Sequence, residues 1–233
     1  LTAKALGAEL LIHYGHSCLI PIDQTSGIKV LYIFVDIKID PLHFIETIKL
    51  NFPEKSTKIG LVSTIQFITT LQAVSNKLRE IGYEEISTPQ FKPLSPGEIL
   101  GCTAPVIRCA DIVIYLGDGR FHLEAAMIAN PKLQAYRYDP YDKKFTREYY
   151  DHNRMQLIRK ENIDKARNAN SIGVIMGTLG RQGSIKVVDH LINRLKQLKK
   201  NIVVILLSEI FPNKLDLFKQ IDAFVQIACP RLS

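Results

Sequence analysis

The chain has 233 residues, 46% of them hydrophobic and 23% charged, which excludes disorder as its main state and leaves one large domain or two small ones. Its longest apolar run, Ile202–Leu207, is far shorter than the roughly 20 residues a bilayer-spanning helix needs, and the first residues lack the charged, apolar, small-residue order of a secretory signal. Thirty basic and 23 acidic residues leave a net charge of +7, spread along the chain and favouring an anionic ligand only weakly, and four cysteines are too few for a disulfide scaffold.

In chain order, short apolar, β-branched runs alternate with amphipathic stretches. Leu10–His13 and Val30–Val35 read as strands, followed by Ile59–Val62 and a helix over Gln66–Glu80 with Ile68, Leu71, Val74 and Leu78 on one face. Ile112–Leu116 is the next strand, and a long polar helix is predicted over Thr146–Ala169. Ile172–Met176, a helix over Ser184–Leu198, Ile202–Leu207 and Phe224–Ile227 complete the series. The strands are solidly apolar rather than alternating, as strands covered on both faces must be. Strand–helix–strand alternation predicts an α/β fold of tandem similar modules, each a mostly parallel sheet flanked by helices, arranged with pseudo-threefold symmetry.

The modules rest on an internal repeat. Glu9 with its strand, Asp111 with its strand and Asp222 with its strand read alike, at spacings of 102 and 111 residues. Ile59–Thr64 and its helix match Ile172–Gly177 and its helix 113 residues later. The expected division is 1–26 as the end of a truncated first module, 27–140 as the second and 141–233 as the third. The expectation that follows is a fragment lacking both ends.

Candidate chemistry sits at strand ends, where open α/β sheets bind ligands. Cys102 follows Gly101, where the backbone can bend, after Ser95-Pro96-Gly97-Glu98, which begins like a capped helix turn, and Cys229 ends the last strand before Pro230. A cysteine followed by proline is common at iron–sulfur clusters, although a lone cysteine is more often a small buried hydrophobe. Cys18 and Cys109, the latter read as lying in a helix before a strand, are placed in that structural class. Gly177-Thr178-Leu179-Gly180-Arg181-Gln182-Gly183 joins a strand to a helix. Its amides and the Arg181 guanidinium suit a carboxylate or phosphate, but the run is neither a Walker loop nor a dinucleotide fingerprint. His13 and His16 fall on opposite sides of an extended strand, which argues against zinc. No nucleophile elbow is present and no catalytic residue stands out. Tyr136, Tyr138, Tyr141 and Phe145 read as packing for a linker between modules.

Several phrases together resemble one family. They are His13–Cys18, Pro93–Glu98, Leu100–Thr103, Leu116–Glu124, Tyr138–Tyr141, Gly177–Gly183 and Ala228–Ser233. They look like the first, catalytic-subunit branch of the eukaryotic 2-(3-amino-3-carboxypropyl)histidine synthases, enzymes of the first step of diphthamide biosynthesis. The resemblance implies a [4Fe–4S] cluster at the centre of three modules, one cysteine from each, with Cys102 and Cys229 as two of the ligands. The family's first ligand lies in a Tyr-Gly-Ala-Cys phrase that this sequence does not contain, so the chain as given is expected to be inactive by itself. It implies transfer of the 3-amino-3-carboxypropyl group of S-adenosylmethionine, by a radical route, to a histidine of translation elongation factor 2. It also implies a heterodimer with a related second subunit, a small electron-donor protein and a cytoplasmic location.

For the cofactor, Arg181 with Gly177, Thr178, Gly180, Gln182 and Gly183 is the candidate contact, a role that comes from the residues and not from the resemblance. Alternatives are the non-catalytic partner subunit, a quinolinate-synthase-like cluster enzyme, and a non-enzymatic anion-binding module. No membrane association is expected. The basic face around Lys186, Arg194, Lys196, Lys199 and Lys200 is expected to be solvated rather than to bind nucleic acid, since no aromatics interleave it.

Overall fold

The computed structural model describes residues 2–15, 27–101, 104–178 and 183–228. The elements are α1 (Thr2–Ala5), β1 (Leu10–Gly15), β2 (Lys29–Phe34), α2 (Pro41–Asn51), β3 (Ile59–Ser63), α3 (Ile68–Glu80), β4 (Ile86–Ser87) and β5 (Ile112–Leu116). They continue with α4 (Phe121–Ala129), β6 (Gln134–Asp139), β7 (Lys144–Glu148), α5 (His152–Asn168), β8 (Ser171–Gly177), α6 (Ile185–Gln197), β9 (Asn201–Leu207), α7 (Pro212–Leu215) and β10 (Ala223–Ile227). The chain divides into two compact units, the second formed mainly by residues 151–233.

In the first unit a five-stranded sheet runs β4-β3-β5-β6-β7, parallel except for the last pair. Its buried side chains separate with period two, as a pleated sheet requires. Ile59 and Leu61 of β3 and Ile112, Ile114 and Leu116 of β5 pack under Phe44 and Ile48 of α2 and Leu71, Val74 and Leu78 of α3. Val62, Val113 and Tyr115 pack with Leu123, Ala126 and Met127 of α4 in a second cluster. Fifteen buried residues in the first cluster make it the principal core. A second, two-stranded sheet pairs β1 with β2 in parallel, Leu10 opposite Lys29 and Gly15 opposite Phe34.

The second unit holds a parallel sheet, β10-β8-β9. Ile172 and Val174 of β8 pack against Val188 and Leu195 of α6. Asp151 caps α5 by accepting from the Arg154 amide at 2.9 Å.

The repeat seen in the sequence is a repeat of strand order. β4-β3-β5 and β9-β8-β10 have the same neighbours, all parallel. One detail of hydrogen bonding is shared: the Asp111 amide donates to the Lys58 carbonyl, and the Asp222 amide to the Ser171 carbonyl, both at 2.9 Å. The parallel pair β1–β2 likewise matches β5–β6.

Several expectations differ from the structure. The helix predicted over Thr146–Ala169 begins at His152, because residues 144–148 form β7, antiparallel to β6. Tyr136 and Phe145 therefore stack across that hairpin, centroids 5.4 Å apart, instead of packing a linker, and Tyr138 lies in the core against Phe44. Cys109 is exposed and lies outside any helix. The buried Asn130 side chain accepts from the Ile107 amide at 2.7 Å and donates to the Pro105 carbonyl at 2.9 Å, holding that run in a non-helical course. Burial on both faces holds for β3 and β5 but not for β1, β2 or β9, whose Tyr14, Phe34 and Leu206 are 65%, 59% and 59% exposed.

Candidate functional site

The strand ends carry the candidate chemistry. β8 ends at Gly177, which is buried, and the Thr178 amide donates to the Leu207 carbonyl at 2.9 Å, fixing the exit of β8 to the end of β9. Gly180, Arg181 and Gln182 lie outside the described residues. The chain returns at Gly183, packed so closely on the Gly177 carbonyl that a Cβ there would overlap it. Gly177 and Gly183 thus bring the two ends of the loop into close backbone approach. From Ser184 the chain enters α6, whose first intrahelical bond runs from the Val188 amide to the Ser184 carbonyl at 3.0 Å. Among the described residues no side chain caps this helix. A helix start without a side-chain cap leaves its first amides to water or to an anion.

The matching strand end in the first unit is filled by protein. After β3, a 3-10 turn at Ile65–Phe67 inserts the fully buried Phe67. The Ile37 amide donates to the Gln66 carbonyl at 2.8 Å.

The loop leading to Cys102 is tied to the end of β3. The Ser63 amide donates to the Gly97 carbonyl at 2.8 Å, and the Ile99 amide to the Ser63 carbonyl at 2.9 Å. The buried Glu98 carboxylate accepts from the Ser95 amide at 3.0 Å. This is the Ser-x-x-Glu turn read from the sequence, here used to clamp a loop instead of starting a helix. Gly97 has φ +84°, and a Cβ would meet Leu71 Cδ2 at 2.5 Å. Gly101 lies against the ring of Phe121, the first residue of α4, with no room for a side chain.

Cys102, Cys229 and Cys18 lie outside the described residues. Of their described neighbours, Gly101 stands at the start of α4, beyond β5, and Ala228 immediately follows β10. Both neighbours lie on the C-terminal side of a parallel sheet, where open α/β sheets bind ligands, and thiolates suit an iron–sulfur cluster in donor chemistry. Among the described residues no group of three or more His, Cys, Asp or Glu can hold a metal ion. His13 packs on Tyr32, ring centroids 5.2 Å apart.

Further polar contacts surround the Leu116–Glu124 phrase. Arg120 donates from Nε to Glu124 at 2.8 Å, from Nη1 to Glu148 at 3.3 Å and from Nη2 to the Tyr149 carbonyl at 2.8 Å. Arg137 adds ion pairs to Glu148 at 3.4 Å and Asp139 at 3.5 Å. All three nitrogens of Arg120 are thus engaged, so this residue of the Gly117–His122 phrase holds the β7 edge to α4. The i,i+4 spacing of Arg120 and Glu124 was its one signal in the sequence. Tyr115 is fully buried, and burial pushes its phenol far above the usual range, opposed in part by the Thr64 hydroxyl.

Two parallel α/β units of one strand order, the second with glycines at both ends of its strand-to-helix turn, define the class. The family model described as "Putative diphthamide synthesis protein" matches residues 1–233, and the chain belongs to that family. It is 60% identical over 232 residues to 2-(3-amino-3-carboxypropyl)histidine synthase subunit 1 of Nematostella vectensis, covering 100% of this chain and 49% of that protein. With the same subunit of Homo sapiens the identity is 57% over 234 residues, covering 100% and 53%. The chain thus spans about half the length of the curated relatives it matches. Among solved structures, Dph2 from Pyrococcus horikoshii superposes with a TM-score of 0.76 at 26% identity, over 99% of this chain and 66% of that one. A second structure of that protein, with a 4Fe-4S cluster, has the same TM-score and identity over 99% and 67%.

Proposed function

We propose that the protein to which this chain belongs is a 2-(3-amino-3-carboxypropyl)histidine synthase subunit 1, the transferase that begins diphthamide synthesis on a histidine of translation elongation factor 2. The observation that carries this reading is 60% identity, over essentially the whole chain, to a protein of that name. The 4Fe-4S cluster in the similar Dph2 structure supports a cluster here, with Cys102 and Cys229 as two of its thiolate ligands. When bound, such a cluster supplies an electron to a carbon–sulfur bond of S-adenosylmethionine. The chain's own part is to bind and orient. The Gly177–Gly183 loop and the N-terminus of α6 hold the carboxylate of the amino-acid portion, and Arg181 adds a bidentate donor. The Ser63–Glu98 clamp fixes the segment that precedes Cys102. Pairing with a related second subunit, reduction by a small electron-donor protein and a cytoplasmic location belong to the same reading.

The test is anaerobic iron reconstitution of the whole protein, followed by visible spectroscopy and by modification of the elongation factor. Cys102→Ala and Cys229→Ala should each lose most of the cluster absorbance and all modification, while Cys109→Ala and Cys18→Ala keep both. A cluster that survives loss of Cys102 but not of Cys18 would overturn the ligand assignment.

A further inference from the structure

The even spread of charge expected from the sequence does not hold between the two halves of the fold. Residues 1–150 carry sixteen basic and sixteen acidic side chains, and residues 151–233 carry fourteen and seven, so the whole net charge of +7 resides in the second stretch. Five of its cations collect at one place. Arg167 lies in the last turn of α5, Arg194 and Lys196 in the last turn of α6, and Lys199 and Lys200 in the turn that enters β9. Lys200 Nζ donates to the Arg167 carbonyl at 3.3 Å, and the Asn201 amide to the Asn170 carbonyl at 2.9 Å, so the two helix ends adjoin. They meet at the N-terminal edge of the β8–β9 pair, the opposite edge from the Gly177–Gly183 loop.

Neutralising acids are scarce there. Among the described residues, Arg167 has an ion pair with Asp164 at 3.2 Å, and the other four cations have none. Asp222 lies near Lys200 but spends its carboxylate on the Asn170 and Ser171 amides, both at 2.9 Å.

Helix dipoles account for cations in the last turns of α5 and α6. They do not account for Lys199. The Lys199 amide donates to the Lys196 carbonyl at 2.9 Å and the Lys200 amide to the Leu195 carbonyl at 3.1 Å, the paired bonds of a Schellman ending. Lys199 sits at its left-handed position with φ +55°, where glycine is the favoured residue. The chain holds a lysine at a position where any Cβ is conformationally unfavourable, as it also does at Lys143 (φ +53°) outside this edge. The exposed apolar neighbours are aliphatic: Leu198 is 53% exposed, and Ile163, one turn before Arg167, is 59% exposed. A face for single-stranded nucleic acid would interleave aromatic rings for base stacking, and residues 163–167 and 194–200 contain none.

We propose that this edge of the second unit docks an acidic protein segment with aliphatic residues among its carboxylates. The proposal does not depend on the reading of the cluster site. The test titrates the full chain into a fluorescein-labelled peptide of repeated Glu-Glu-Leu, followed by anisotropy, beside an oligouridylate of equal formal charge. The peptide should bind at low salt and weaken as salt rises. Lys196→Glu combined with Lys200→Glu should weaken it about tenfold or more. Lys199→Gly should also weaken it while leaving the thermal midpoint unchanged or higher, since glycine suits that backbone. Equal or tighter binding of the oligouridylate, peptide binding indifferent to the charge reversal, no binding at low salt, or a lower midpoint for Lys199→Gly would each overturn the proposal.

Discussion

The α-carbon of Gly183 rests against the carbonyl oxygen of Gly177, and a Cβ on Gly183 would also press on Met176 Cγ at 2.8 Å. The end of β8 and the approach to α6 are therefore in direct backbone contact. Gly183→Ala must push the two apart, an overpacking cost of about 1–3 kcal/mol. The expected outcome is a lower urea midpoint and, in the cluster-loaded whole protein, weaker S-adenosylmethionine binding by calorimetry. Unchanged binding in a destabilised variant would show that the loop does not hold the ligand.

Gly97 offers a parallel test at the other loop. Its φ of +84° and the 2.5 Å approach of a Cβ to Leu71 Cδ2 both oppose a side chain. Gly97→Ala is expected to cost about 2 kcal/mol, by backbone strain plus displacement of a core leucine. The same change should loosen the segment before Cys102, and a faster rate of alkylation at that thiol in cluster-free protein is the measurement that checks it.

Much of this fold is legible in the sequence because β3, β5 and β8 are buried runs whose apolar character has no other use, and because α3 and α6 carry one-sided apolar stripes. β7 is not legible. Lys144-Phe145-Thr146-Arg147-Glu148 is polar, and it is a strand because Phe145 stacks on Tyr136 and Glu148 pairs with Arg120 and Arg137, contacts made only after β6 is in place. The Gly177–Gly183 run was legible as a strand-to-helix turn. Among the described residues no side chain caps α6, and no local pattern announces that. The Ser63–Glu98 clamp was half legible: Ser95-Pro96-Gly97-Glu98 showed the turn, but its partner stands more than thirty residues earlier, on β3.

Asn130 is a buried polar residue whose side chain is fully used. It donates to the Pro105 and Ala126 carbonyls, both at 2.9 Å, and accepts from the Ile107 amide at 2.7 Å. Asn130→Ala strands those three backbone groups away from water, at a cost of about 2–3 kcal/mol. Urea unfolding should show the loss as a lower midpoint with an unchanged slope, since the folded surface is not altered. A loss no larger than that of an exposed asparagine such as Asn162 would refute this account of the segment before β5.

Asp222 sets a pH dependence whose sign can be worked out. Its carboxylate accepts from the Ser171 and Asn170 amides, and these bonds, helped by Lys200, hold its pKa below the ordinary value of 3.8. A carboxyl group depressed on folding stabilises the fold fully above its unfolded pKa, and that contribution fades as pH falls through the folded pKa. Asp222→Asn keeps the shape but removes the charge from the two bonds that join the start of β10 to the start of β8. The variant should melt below the parent protein at neutral pH, and the gap should narrow as pH drops below about 4, the unfolded carboxylate range. Thermal midpoints measured from neutral to strongly acid pH check this, and a gap that stays constant throughout would show that the Asp222 charge adds nothing to what the asparagine amide supplies.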